Sequence, residues 1–229
     1  MNAPHVFPAP RRSTFTKTTI DLTHHRWIRI APEFSDALKA HFSEFAELVG
    51  PLFSDGPRIC AGTPQQGNIL LEAGPASGEL PPQGYRLEGR ATGMVLRGAD
   101  EAGVFYGLRT LEQILRQCGS VIPRFTITDY PDFPQRGVML DISRCKVPTM
   151  ETLFDLVDLL SGFKINQIQL YMEHTFAFSA HEPVWRDSSP MTADEVMQLD
   201  GYCREHFVQL VPNLNSFGHF ERWLKHPEY

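Results

Sequence analysis

Several features that would mark a specialised class are missing from this chain. No apolar run approaches the roughly 18 residues of a membrane span, so no membrane association is expected. The opening stretch MNAPHVFPAPRRSTF carries Arg11 and Arg12 with no apolar segment behind them, which argues against a secretory signal peptide. Lys and Arg form no block and the formal net charge is −6, so a nucleic-acid partner is not expected. The cysteines, Cys60, Cys118, Cys145 and Cys203, are scattered and form no C-x-x-C. A disulfide framework or zinc knuckle needs closer, patterned spacing. Buried free thiols in a reducing compartment, and hence a cytoplasmic location, are the expectation.

Signs of metal, nucleophile and phosphate chemistry are equally thin. HEPVW (181–185) begins like H-E-x-x-H but lacks the second histidine, and its proline spoils the helix that the motif needs. His24 and His25 are adjacent in a turn, and adjacent residues rarely share one metal. There is no G-x-S-x-G setting for a nucleophilic serine and no phosphate loop. No metal or cofactor is expected.

What the sequence does have is two halves with different rhythms. Residues 1–15 hold three prolines and read as a disordered leader. From 16 to 129, short strands alternate with two helices: WIRI (27–30), NILLE (68–72), YRLEG (85–89), GMVLRG (93–98) and RFTITD (124–129) are strands, and 32–48 and 100–117 are helices. In the second helix Val104, Leu108, Leu111 and Leu115 fall at intervals of 4, 3 and 4, one apolar stripe. Gly103 and Gly107 weaken a helix, so close packing of helix on sheet is their expected reason. The pattern predicts an α+β domain on a mostly antiparallel sheet. DYPDFP (129–134) then reads as a linker, so 130–229 form a second domain.

In that second domain RGVMLDI (136–142), NQIQLYM (166–172) and VQLVPNL (208–214) are strands. Between them lie a helix over 149–163, with Thr149 as N-cap, and one opened by the capping box Thr192-Ala-Asp-Glu195. This is β-α-β-α-β, the unit of parallel sheets, in which ligands sit beyond the carboxyl ends of the strands. Polar residues cluster there: Asp141 and Arg144 after the first strand, Glu173 and His174 after the second, and Asn213, Asn215 and His219 after the third. A core-grade Val138-Met139-Leu140 running into Asp141 calls for either a structural ion pair with Arg144 or a site.

At these residues the chain resembles glycoside hydrolase family 20, the β-N-acetylhexosaminidases. The resemblance runs through YRLEGRATGMVLRGADEAGVFYGLRTLEQIL (85–115), ITDYPDFPQRGVMLDISR (127–144), FKINQIQL (163–170) and VPNLNSFGH (211–219). It implies an α/β (β/α)₈ TIM barrel behind the α+β domain, this chain carrying the first three βα units. It also implies removal of terminal N-acetylhexosamine from a glycan or glycoside with retention of configuration. The substrate's acetamido oxygen serves as nucleophile, an exception to the two-carboxylate scheme. Arg144 matches the arginine that holds the terminal sugar's hydroxyls, a task suited to its planar fork. Asp141 matches the aspartate beside it, and His219 the histidine supporting the general acid.

The chain also departs from the family pattern. His174 stands where the family has an aspartate pairing with the third-strand histidine, and Glu173 is the nearest substitute charge. Asn213 and Asn215 stand where it has a glutamate and an aspartate. The resemblance therefore implies catalytic roles for His219, Glu173 and His174, and substrate binding for Arg144, Asp141 and Asn215. A full barrel takes about 250 residues, and no Asp-Glu pair stands at a fourth strand. The expectation is the front part of a longer enzyme, or a chain that pairs with a second copy to cover an open, apolar sheet edge. The rival is a noncatalytic carbohydrate-binding or interaction fragment, using Arg144, Tyr171, Trp185 and Trp223.

Overall fold

The structure is a computed structural model describing residues 3–54, 56–62 and 68–229. Two compact units emerge, Met1–Pro134 and Gln135–Tyr229.

The first unit is built on strands β1 (Arg12–Asp21), β2 (His25–Ile30), β3 (Arg58–Cys60), β4 (Asn68–Pro75), β5 (Tyr85–Arg90), β6 (Gly93–Gly98) and β7 (Val121–Asp129). They form one sheet in the order β1-β7-β5-β6-β4-β2-β3. The β1-β7, β7-β5 and β5-β6 pairs are antiparallel, and β6-β4, β4-β2 and β2-β3 are parallel. The sheet is therefore mixed, not mostly antiparallel. Helix α1 (Asp36–Val49) joins the parallel neighbours β2 and β3 and supplies the long crossover that a parallel pair requires, whereas α2 (Glu101–Cys118) joins β6 to β7, between which β5 lies in the sheet.

The described part of the expected leader is ordered. Strand β1 starts at Arg12, His5 and Phe7 donate their backbone N–H groups to Gln117 and Gln113, and the Arg11 N–H donates to Asp129. Pairing with β7 supplies the backbone partners that local sequence did not advertise. Met1 and Asn2 lie outside the described residues.

The stripe on α2 is buried throughout: Val104, Leu108, Leu111 and Leu115 are all at most 1% exposed. Asp100 caps the helix by accepting from Gly103 N at 2.8 Å. A side chain at Gly103 would collide with the Gly84 carbonyl, and one at Gly107 with Leu96 and Tyr85. Both glycines allow the helix to lie close on the sheet.

The second unit is a three-stranded, fully parallel sheet of β8 (Gly137–Asp141), β9 (Gln167–Met172) and β10 (Gln209–Leu214), with β9 central. Helix α3 (Met150–Gly162) connects the first pair; the short α4 (Glu182–Trp185) and then α5 (Ala193–Glu205) connect the second; a last turn, α6 (Glu221–Leu224), follows β10. Thr149 caps α3, and Thr192 and Glu195 close the capping box on α5. Asn166 ties the strand starts together. It exchanges two hydrogen bonds with the Arg136 backbone and accepts from Gln209 N.

The core lies between the helices and one sheet face, around Leu153, Val157, Ile168, Leu170, Leu199 and Cys203. Val138 and Met139, by contrast, are 36% and 59% exposed, so the apolar run into Asp141 is not core. It belongs to β8, an edge strand of the three-stranded sheet. Of the four free cysteines only Cys203 is buried, and Cys145 is exposed, which corrects the expectation of buried thiols. Among the described residues no helix is long and apolar enough to cross a membrane, and no group of three or more His, Cys, Asp or Glu is arranged to hold a metal.

Candidate functional site

Strand alternation puts Asp141, Tyr171 and Asn213 in register at the carboxyl ends of β8, β9 and β10. Just beyond Asp141 the chain turns sharply. Asp141 Oδ1 accepts from the backbone N–H groups of Ser143 at 2.9 Å and Arg144 at 3.0 Å, and Oδ2 accepts from Arg144 Nε at 2.6 Å. Partial burial alone would raise the Asp141 pKa. The hydrogen bonds from Ser143 and Arg144 outweigh it and hold the carboxyl below its ordinary 3.8. The same hydrogen bond raises the pKa of Arg144. The pair is thus a local clamp. It uses only Nε of the guanidinium, and the two terminal nitrogens of this exposed side chain have no partner among the described residues.

Tyr171 is the hub. Arg144 lies over its ring, with Cζ 5.0 Å from the centroid, and His219 meets it edge-on with ring centroids 6.3 Å apart. The Tyr171 hydroxyl donates to Glu173 Oε1 at 3.0 Å. Burial, then this hydrogen bond, raise the Tyr171 pKa, so the phenol stays a donor. His219 sits at φ +53°, in the left-handed region, and Cys145, the residue after Arg144, at φ +79°. Two non-glycine residues in this costly conformation flank the same strand ends.

Glu173 is 7% exposed and held from several sides. Its Oε1 lies 4.0 Å from Arg144 Nε and its Oε2 3.8 Å from Arg222 Nε. Its backbone N–H donates to Ser143 Oγ at 2.6 Å, and its carbonyl accepts from Trp223 Nε1 at 2.6 Å. Among the described residues no hydrogen bond joins Glu173 to His219, so the carboxylate serves the two arginines and Tyr171.

His174 stands apart. It is 9% exposed, its Nδ1 has no hydrogen-bond partner, and burial, then the Arg222 charge, lower its pKa below the ordinary 6.5. A neutral imidazole follows at neutral pH. Asn215 donates both its backbone N–H (2.9 Å) and Nδ2 (3.2 Å) to the Met172 carbonyl, anchoring the loop after β10 to the end of β9.

The structure thus gathers Asp141, Arg144, Glu173 and His219 around Tyr171, with Asn215 as the loop anchor and His174 buried beside them. Ser143 and Arg222 were missed by sequence reasoning, and Trp223 was named only as a sugar-holding ring of the rival reading, not as the donor to the Glu173 carbonyl. Ser143 carried a signal, lying between Asp141 and Arg144, whereas Arg222 and Trp223 lie on a short turn that no periodicity announces. Trp223 packs against Phe178, Phe220, His181 and Tyr229, and Trp185 donates to the Phe178 carbonyl. The Trp223 ring is engaged in packing and 7% exposed, so it is no open stacking platform of the kind the rival reading required.

A family model described as glycosyl hydrolase family 20, domain 2, matches residues 3–130. The chain belongs to glycosyl hydrolase family 20. Among curated relatives it is 28% identical over 201 residues to a lacto-N-biosidase of Bifidobacterium bifidum, covering 85% of this chain and 18% of that protein. It is 28% identical over 156 residues to a β-hexosaminidase of Akkermansia muciniphila, covering 59% of this chain and 31% of that protein. The solved β-N-acetylhexosaminidase of Bacteroides fragilis superposes with a TM-score of 0.78 at 20% identity, over 96% of this chain and 47% of that one. The Streptomyces plicatus N-acetyl-β-hexosaminidase in complex with Thio-NAglucal gives 0.79 at 21%, with the same coverage. At these identities the two structural matches speak for the family fold. The chain spans less than half the length of each of these relatives.

Proposed function

We propose that these 229 residues form the front part of a β-N-acetylhexosaminidase: the accessory domain followed by the first three βα units of a (β/α)₈ barrel. The complete enzyme removes terminal N-acetylhexosamine by substrate-assisted, retaining hydrolysis. The observation that carries this reading is the meeting of Arg144 and His219 on Tyr171, two residues from different strand ends brought to one mouth. Arg144, clamped through Nε, offers its free terminal nitrogens as a fork to two adjacent sugar hydroxyls. Asp141 and Glu173 fix the guanidinium so that little freedom is lost on binding. The Asp-Glu pair that would orient the acetamide and protonate the leaving oxygen is supplied by chain not present here. The low coverage of the relatives supports that division.

The test is hydrolysis of an aryl N-acetyl-β-glucosaminide. Negligible release of the aryl alcohol is expected from the 229 residues, and clear release from a chain extended through a fourth strand. Release by the 229 residues alone would place the general acid within them and overturn the assignment. In the extended chain Arg144→Ala is expected to weaken the Michaelis complex by about 2 kcal/mol. Unchanged kinetics would reduce Arg144 to a structural partner of Asp141.

A further inference from the structure

Glu173 carries more acceptor capacity than the residues around it use. An ionised carboxylate offers about four lone-pair sites and no donor. This side chain is 9% exposed, and a charge so far out of water is kept only with partners. Oε1 has one, the Tyr171 hydroxyl at 3.0 Å. Oε2 makes no hydrogen bond among the described residues: the guanidinium facing it, that of Arg222, stops with Nε 3.8 Å away, beyond hydrogen-bond reach. Nor is Oε2 among the polar atoms sealed in without a partner, so it opens onto the surface at the strand ends. The backbone behind it is fixed on both sides, its N–H on Ser143 Oγ and its carbonyl under Trp223 Nε1, each at 2.6 Å.

The donors beside this oxygen are equally unused. Arg144 gives Nε to Asp141 and keeps its terminal nitrogens free, and Arg222 makes no hydrogen bond among the described residues. The two guanidinium groups flank one carboxylate, Arg144 at Oε1 and Arg222 at Oε2. Their charges are matched by those of Asp141 and Glu173, so the cluster is neutral and holds no surplus field for an anion. What it presents is a free acceptor held between two free donor forks. A hydroxyl group is donor and acceptor at once, and a pair of adjacent hydroxyls is satisfied by that set: arginine donates to their oxygens while a carboxylate accepts from one of their O–H groups.

We propose that Glu173 is a substrate-binding residue, its Oε2 accepting from one of the two adjacent hydroxyls that Arg144 holds. This rests on the reading of the mouth as a hexosamine site, and gives a direct contact to a residue that otherwise only steadies Arg144. A hydroxyl oxygen that carries a methyl group, a sulfate or a further sugar has no hydrogen to donate. The contact therefore restricts the enzyme to chain ends at which that hydroxyl is free. A site built to bond a hydroxyl rejects the analogue without it, because its own polar group is left unpaired.

The test uses the chain extended through the rest of the barrel and three aryl N-acetyl-β-glucosaminides: the parent and its 3-deoxy and 4-deoxy analogues. Glu173→Gln keeps an oxygen for the Tyr171 hydroxyl and puts an amide nitrogen in place of Oε2. On the parent it should lower kcat/KM about tenfold or more, as losing a hydrogen bond to a charged group does, with KM carrying the loss. One deoxy analogue should be impaired by a similar factor in the unsubstituted enzyme, and should then be turned over equally well by Glu173→Gln, because the contact is already gone. Glu173→Asp, which withdraws the oxygens, serves as second variant should the first not fold. If the extended chain hydrolyses none of the three, the hexosaminidase reading fails by itself. The same comparison is then made on the affinities of N-acetylglucosamine and its 3-deoxy and 4-deoxy forms. Equal losses on the parent and on both deoxy analogues, unchanged values in a folded Glu173 variant, or no binding of any of these sugars would overturn the proposal.

Discussion

The two units solve the same problem, a sheet that must bury one face, with different degrees of closure. In the first, α1 and α2 lie against a seven-stranded sheet, and ten of the eighteen residues of α2 are buried. Its uncovered strand surface is polar, carrying Arg29, Glu72, Arg86, Glu88 and Arg97. In the second, three parallel strands carry the core on their helix side only, and the remaining surface shows Val138, Met139 and Leu214 at 36%, 59% and 40% exposure. An apolar groove of about 510 Å³ runs beside β10, lined by Leu210, Val211, Pro212 and Leu214. Polar residues on an open face mark a surface meant for water or a polar ligand; apolar ones mark a surface meant to be covered. Strands of parallel sheets are apolar because both of their faces are normally buried, and β8 and β10 keep that composition here.

The contrast can be broken by mutation, starting where the second unit is best packed. Trp223→Ala removes a buried ring and the hydrogen bond to the Glu173 carbonyl, and should cost about 3–5 kcal/mol by denaturant titration. Loss of the Glu173 position should follow, visible as altered Tyr171 fluorescence. An effect below about 1 kcal/mol would show the second unit to be loosely packed even at its strand ends. In the first unit Gly103→Ala forces a methyl group against the Gly84 carbonyl and should cost about 3 kcal/mol; a neutral outcome would mean that α2 can lift off its sheet cheaply.

Next comes pH, because each unit holds one buried histidine with an unpartnered Nδ1, His25 and His174. Burial lowers the pKa of each below 6.5, the largest opposing influence being Asp21 for His25 and Glu173 for His174. Below 6.5 the unfolded chain takes up protons that the folded chain refuses, so stability should fall as pH drops from 6.5 and level off once the folded pKa is passed. Thermal unfolding across pH 4.5–7.5, about the range where histidine titrates, should show this slope. His25→Phe and His174→Phe should each flatten it in part; a slope unaffected by both would assign it to the carboxylates. The smallest effect is expected at the open edge: Met139→Lys should change stability by less than about 0.5 kcal/mol while reducing self-association measured by sedimentation. A large loss of stability would mean that Met139 is covered in solution.

Much of this was legible in the residues. The sequence located all four long helices and eight of the ten strands of the described residues, because apolar spacing and caps such as Thr149 and Thr192 are local signals. Strand β1 was not legible: its sequence, RSTFTKTTID, is exposed along most of its length, and only pairing with β7 makes it a strand. The mixed direction of the sheet was equally hidden, since strand order is set by crossovers and not by composition. At the site, Asp141, Arg144, Glu173, Asn215 and His219 could be named from their places after strands, whereas Arg222 could not, and Trp223 was named only for sugar stacking and not for its bond to the Glu173 carbonyl.

By itself, then, the order of amino acids determined which segments form helices, where the chain divides into two rhythms, and which polar groups follow the carboxyl ends of β8, β9 and β10. These depend on neighbours a few residues away. Tertiary structure alone decided that Tyr171 is where Arg144 and His219 meet, that Glu173 is bracketed by two arginines while His174 is buried neutral, and that Arg86 faces Arg97 across a sheet. Those outcomes depend on register and on desolvation, quantities that exist only once distant segments have come together.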